Sequence, residues 1–420
     1  MDSEFVRHKV KHTEKRYIAM FRIMFFSLIL GVVLGAVGGV FYLAINYVTY
    51  LRFENNWIIF FLPVTAVVIL WFYHILHGDN DRGTNLVLLS IQSDENVPLR
   101  MSALIFVSTV MSHLVGASVG REGAALQIGG AVGNFCGRFL KISVNEKKVL
   151  TMIGMTAMFS ALFGTPMAAA FFPLEVVSVG IMHYGALMPC VIASFVARGV
   201  AKYIGAEAPF FDIGIIPDFD LISALKIAGL AALCGLVSIV FCLALRYGEV
   251  LAKKYLSNRY IRALILGTAV LGLTLLVGNQ SYNGAGVHYI NNCIDGVVEP
   301  MGFLIKIVFT VLSIVAGYRG GEIVPTFFIG ASFGCLFGNI IGWEPALCAA
   351  VGMGTVFCGV TNCPVTSLLI CLELFGFSGA AYFLLACAIA YMFSGYYGLY
   401  TSQKIVYSKF KSNFIDKKVQ

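Results

Sequence analysis

Two carboxylates sit where an otherwise apolar chain turns into small-residue runs. Glu122 follows Gly120-Arg121 and precedes Gly123-Ala124; Glu322 follows Gly320-Gly321 and precedes Ile323-Val324-Pro325. A third glycine-led segment, Gly83-Thr84-Asn85-Leu86-Val87, carries an amide instead. Glycine lets the backbone approach a ligand closely. The helix that follows exposes unpaired N–H groups and the positive end of its dipole. Pro325 suits a first helical turn, where its missing N–H does no harm. Three such ends converging would hold a small anion without a full positive charge. For any one segment, close packing of helices through small residues explains the glycines equally well. All three together point to anion binding.

A carboxylate at membrane depth is costly and by default functional. Ionised, it competes with an anion for the same N–H groups; protonated, it withdraws and carries a proton. Glu122 is therefore expected to be the gate and principal proton carrier, with an ion pair to Arg121 as the competing role. Glu322 is the second gating or proton-coupling carboxylate, with Arg319 the nearest charge in sequence. Asn85 brings two N–H donors where a serine would bring one O–H. Glu175 and Glu373 end apolar helices and read as helix-end or interface residues. Gly116-Ala117-Ser118-Val119-Gly120 matches the G-x-S-x-G elbow, with His113 upstream. A hydrolase elbow needs a preceding strand, and an apolar helix precedes this one, so an intramembrane hydrolase is the weaker, different-class reading.

The elements that position these residues must lie in a bilayer. The chain has 420 residues, 59% hydrophobic and 12% charged, with mean hydropathy +0.84. Ordinary soluble domains carry roughly 25% charge. Soluble enzymes, nucleic-acid modules and disordered chains are excluded, and continuous apolar runs disfavour a barrel. The fold class is all-α and polytopic, with broken or re-entrant helices meeting near the midplane. The net charge of +7 is concentrated at the ends, from Arg7 to Arg16 and from Lys404 to Lys418. Both termini are thus expected in the cytoplasm. No cleavable signal peptide is evident. The eleven cysteines include no CxxC and read as small buried hydrophobes, so no metal and no cofactor is expected.

An internal repeat sharpens the architecture. Gly154-Met155, Phe159, Pro166 and Glu175 recur as Gly352-Met353, Phe357, Pro364 and Glu373, offset by 198 residues. Gly120-Arg121-Glu122 and Gly320-Gly321-Glu322 stand 200 apart. The loop after the first glycine-rich helix is basic (Arg138, Lys141, Lys147, Lys148), whereas its counterpart, Gly342 to Pro345, has no Lys or Arg. Equivalent loops on opposite sides mean inverted halves, the pattern of a secondary transporter. The expected organisation is a basic arm over 1–16, a first membrane repeat over 17–205 and an acidic extracellular linker over 206–221. A second membrane repeat over 222–403 and a basic cytoplasmic tail over 404–420 complete it.

The three segments, in order, resemble the anion-selectivity motifs of the CLC chloride channels and transporters. Gly120-Arg121-Glu122-Gly123 matches GREGP with Ala124 for proline; Gly321-x-Ile323-x-Pro325 matches GxFxP with Ile for Phe. Gly83 to Val87 takes the place of GSGIP, and Gly398-Leu399-Tyr400 resembles the segment of the central tyrosine. The resemblance spans roughly residues 20 to 405 and resembles a bare bacterial-type form. Asn85 in the first motif, Glu322 in the third and Val176 in place of an internal proton glutamate are similar to the fluoride-exporting CLC-F branch. That resemblance implies fluoride/proton antiport, with fluoride resistance as its outcome. It implies an anion site from Gly83, Thr84, Asn85, Gly123, Ala124, Ile323, Val324 and Tyr400. It also implies a homodimer with one pathway per subunit, in a bacterial plasma membrane, with fluoride, protons and the lipid bilayer as partners and no nucleic acid. A chloride or nitrate exchanger, or a passive anion channel, of the same fold is the alternative.

Overall fold

The computed structural model describes residues 3–78, 81–411 and 413–419, with side chains from residue 17 onward. The described residues form sixteen α-helices that divide into two sets of eight. The first set is α1 (Ser3–Glu54), α2 (Leu62–Ile75), α3 (Thr84–Ser93), α4 (Arg100–Val115), α5 (Glu122–Phe139), α6 (Val144–Phe163), α7 (Pro166–Val176) and α8 (Leu187–Ile204). The second is α9 (Leu221–Tyr255), α10 (Arg259–Val277), α11 (Val287–Ile294), α12 (Gly302–Ala316), α13 (Ile323–Ile341), α14 (Pro345–Thr361), α15 (Pro364–Phe375) and α16 (Ala380–Phe393). Among the described residues, six helical segments are long and apolar enough to cross a membrane, among them Tyr17–Glu54 and Leu221–Tyr255. Six shorter apolar helices, including α4, α7, α12 and α15, are not.

Local sequence explains where these helices break. α4 ends at Gly116 and α12 at Gly317, both left-handed, with φ of 84° and 107°. Side-chain-bearing residues resist that conformation, so equivalent glycines stop equivalent helices just before the segments bearing Glu122 and Glu322. α7 and α15 each open on proline, and α6 opens on a capping box in which Ser143 and Glu146 satisfy each other's backbone N–H. The inner helices α5, α6, α13 and α14 are mostly buried. α1, α2, α9 and α10 turn large apolar side chains such as Phe25, Trp71, Leu236 and Leu276 outward, as a lipid-facing shell does.

Two reciprocal contacts relate the halves. Glu175, at the end of α7, accepts from Val365 N (3.1 Å), Thr366 N (2.9 Å) and Thr366 Oγ1 (2.7 Å) at the start of α15. Glu373, near the end of α15, accepts from Met167 N and Ala168 N, both 2.9 Å, at the start of α7. Each carboxylate thus caps the other repeat's helix, which is the helix-end role expected of them.

One element departs from an all-α reading. β1 (Ser178–Val179) pairs in parallel with β2 (Lys404–Tyr407), which pairs antiparallel with β3 (Phe414–Lys418). The basic tail is folded back onto the end of α7, with Ile405, Val179 and Val419 packed together.

Candidate functional site

The second and third glycine-led segments meet where the two repeats join. Gly120 N donates to Gly321 O (2.6 Å) and Gly321 N donates to Gly120 O (2.9 Å), forming an antiparallel bridge. The bridge ties the two repeats together at their glycine-led segments, with Gly120 paired to Gly321 rather than to Gly320, its counterpart at the 200-residue offset. The approach leaves no room for side chains: a Cβ on Gly321 would lie 2.5 Å from Gly123 N, and one on Gly123 would lie 2.8 Å from Gly321 Cα.

Glu122 opens α5 and is buried. Its Oε2 accepts from Arg121 N at 3.1 Å, and its Oε1 lies 3.5 Å from Arg121 Nε. Arg121 is itself held by α1, donating to Asn46 Oδ1 at 3.2 Å and stacking over Tyr42. The carboxylate thus sits on a backbone N–H at a helix mouth and is paired with Arg121 as well. The first turn of α13 is close by. A Cβ on Gly120 would be 3.2 Å from Glu122 Oε2 and 3.1 Å from Val324 N.

A cavity of about 790 Å³ reaches this junction. Gly83, Thr84, Asn85, Glu322 and Tyr400 line it. Gly123, Ala124, Ile323 and Val324 are buried in the first turns of α5 and α13, away from the cavity lining. Gly123 is tied to the cavity wall through its carbonyl, which accepts from Thr84 Oγ1 at 3.4 Å. Ala124 carries an N–H that a proline would lack.

The orientation of Asn85 is determined by a neighbour absent from the expected set. Ser402 N (3.0 Å) and Ser402 Oγ (2.8 Å) both donate to Asn85 Oδ1. A backbone N–H only donates, so the amide oxygen faces Ser402 and the NH2 faces away from it. Gln127 is a second residue missed by sequence reasoning; its Nε2 donates to Thr84 Oγ1 at 3.4 Å. Tyr400 is buried, and its hydroxyl has no hydrogen-bond partner among the described residues. Tyr396 is occupied elsewhere, with its hydroxyl 2.7 Å from Ser408 Oγ. The cavity wall also carries Arg82, Arg246, Lys253, Arg259, Arg262, Arg319 and Lys418 against Asp81 and Glu249. This excess of cations concentrates anions in the cavity.

The other candidates are accounted for. Ser118 Oγ lies 3.0 Å from Thr310 Oγ1 and its backbone N donates to Ser313 Oγ at 3.0 Å, both on α12. His113, on α4, is not among the hydrogen-bond partners of Ser118, and its Nε2 has none among the described residues. Val176 is buried, and its carbonyl accepts from Gln403 Nε2 at 2.9 Å. All eleven cysteines are free.

Comparison with known proteins agrees with this geometry. Residues 64–395 match the protein family described as "Voltage gated chloride channel". A "Chloride/fluoride channel protein" of Pseudomonas syringae pv. tomato is 33% identical over 382 residues, covering 89% of this chain and 84% of that protein. An "H(+)/Cl(-) exchange transporter ClcA" of Vibrio cholerae is 25% identical, covering 84% of this chain and 82% of that one. Among solved structures, a "CLC-type fluoride/proton antiporter" superposes with a TM-score of 0.88 at 32% identity, covering 92% of this chain and 98% of that chain. A slow cyanobacterial Cl-/H+ antiporter at 16% identity and a TM-score of 0.77 shares the fold.

Proposed function

The chain belongs to the voltage-gated chloride channel (CLC) family, and on that premise we propose that it is a multi-pass membrane antiporter that expels fluoride and takes up protons. The observation that carries this reading is one cavity that gathers Asn85, Glu322 and Tyr400; Glu122 does not line it but precedes Gly123, whose carbonyl accepts from the cavity-lining Thr84. Fluoride is small, strongly hydrated and a strong hydrogen-bond acceptor, so a site for it needs short, directed donors. The Ser402-fixed amide of Asn85 and the unpartnered hydroxyl of Tyr400 supply two.

Coupling follows from competition. The Glu122 carboxylate sits on N–H groups of the kind an anion would take, and a protonated carboxyl has a weaker claim on them. Proton uptake at Glu122 therefore makes way for the anion, and anion departure restores the carboxylate. Glu322, in the cavity wall at the mouth of α13, is the second group able to hold a proton next to the anion. The remaining parts of the reading are both termini in the cytoplasm, a bacterial plasma membrane, fluoride resistance as the physiological result, and a homodimer with a pathway in each subunit.

The deciding experiment uses purified protein in liposomes loaded with fluoride and chloride, ion-selective electrodes outside and an imposed pH difference. Inward proton movement should drive fluoride out against its gradient, with little chloride following. Downhill fluxes indifferent to pH would indicate a passive channel, and chloride flux equal to fluoride would indicate a chloride exchanger.

A further inference from the structure

The segment after Tyr400 holds a buried cation that the antiport reading leaves unused. Lys409, between β2 and β3, is 8% exposed. All three of its N–H donors are taken: by Asn362 Oδ1, by Tyr391 O at 2.9 Å and by Ser394 Oγ at 3.0 Å. It also lies over the Tyr391 ring. Asn362 in turn donates from Nδ2 to Gln403 Oε1 and to Tyr397 O, both at 3.0 Å. Gln403 donates from Nε2 to Val176 O (2.9 Å) and Thr361 O (2.8 Å), and from its backbone N to Tyr400 O (2.9 Å). The next residue back, Ser402, is the one that orients Asn85. A continuous set of bonds thus runs from Lys409 to the two donors assigned to the anion.

We propose that Lys409 is a clasp, a positioning residue whose three hydrogen bonds hold the segment from Tyr400 to Gln403 on the anion site, a role that rests on the antiport reading of that site. The groups facing it are Tyr391 on α16, Cys358 on α14, Cys363 before α15 and Cys242 on α9, with no carboxylate paired to it among the described residues. Glu175 on α7 is committed to α15 instead.

Three neutral acceptors around one Nζ match the three N–H donors of an ammonium, whereas a neutral amine would leave one of them facing a lone pair.

The test measures hydrogen–deuterium exchange of the 402–411 segment in the full chain in lipid. Lys409→Met removes all three bonds and should lower protection of that segment on the order of tenfold; Lys409→Arg, which keeps the charge and several N–H donors, should restore part of it. Fluoride affinity by calorimetry should fall and recover in the same order. The exchange measurement is independent of the antiport reading, so its failure and the failure of that reading are separable. Unchanged protection in Lys409→Met would overturn the proposal, and so would a loosened tail with unchanged fluoride affinity. Should Lys409→Met not fold, wild type against Lys409→Gln decides the matter.

Discussion

At the scale of single residues, the proposed mechanism rests selectivity on a fixed amide and coupling on two carboxylates. Asn85→Ser replaces two amide donors with one hydroxyl, and a lost hydrogen bond to a charged partner costs about 1.5–3 kcal/mol. The fluoride-to-chloride flux ratio in liposomes should fall roughly tenfold or more. Ser402→Ala leaves one of the two bonds that orient Asn85 and should lower the ratio in the same direction by less. Glu122→Gln cannot exchange a proton, so pH-driven fluoride pumping should stop, leaving no turnover or an uncoupled leak; Glu322→Gln should impair coupling as well. If both variants still pump uphill, the proton route lies elsewhere. Asn85 and Glu322, which line the cavity, stand out in the sequence as an amide and a carboxylate in apolar surroundings, whereas Tyr400, also in the lining, was indicated by the family resemblance. Ser402, Gln127 and Lys409 were indicated by neither. Each acts through a contact with a distant segment, and nothing in its own neighbourhood distinguishes it from a surface polar residue.

At the scale of elements, the crossing of the α5 and α13 mouths depends on bare backbone. Gly321→Ala drives a Cβ against Gly123 N, a backbone atom that cannot swing aside. Its cost should reach the upper end of the about 1–3 kcal/mol typical of overpacking, seen as a lower thermal midpoint in detergent. Gly229→Ala is the contrast: it lies inside α9 with nothing within 4 Å, and should be neutral or stabilising by up to about 1 kcal/mol. Glu373→Ala removes the two bonds that cap α7 and should destabilise by about 1–3 kcal/mol while leaving the fluoride-to-chloride ratio unchanged. The broken helices could be anticipated, since their stops are glycines and prolines. The small sheet could not. Its two-residue strand β1 is too short for any periodicity, and its partner β2 lies more than two hundred residues further on.

At the scale of the whole molecule, the duplication was readable because the spacing Gly-Met, Phe, Pro, Glu survives in both halves. α6–α7 and α14–α15 are the helices it marks. If each subunit of the proposed dimer has its own pathway, a linked pair of one wild-type and one Glu122→Gln subunit should pump at about half the rate of a wild-type pair under the same gradient; a cooperative dimer would fall well below that. The Gly120–Gly321 bridge restricts how such a subunit can move. Transporters built from opposed halves often expose their site by rocking one half against the other. Here the halves are joined by two backbone bonds at the site and by reciprocal carboxylate caps on α7 and α15. Rocking would break buried bonds with no water to replace them. Access must instead alternate through swings of individual side chains and of the tail, around a centre that stays closed.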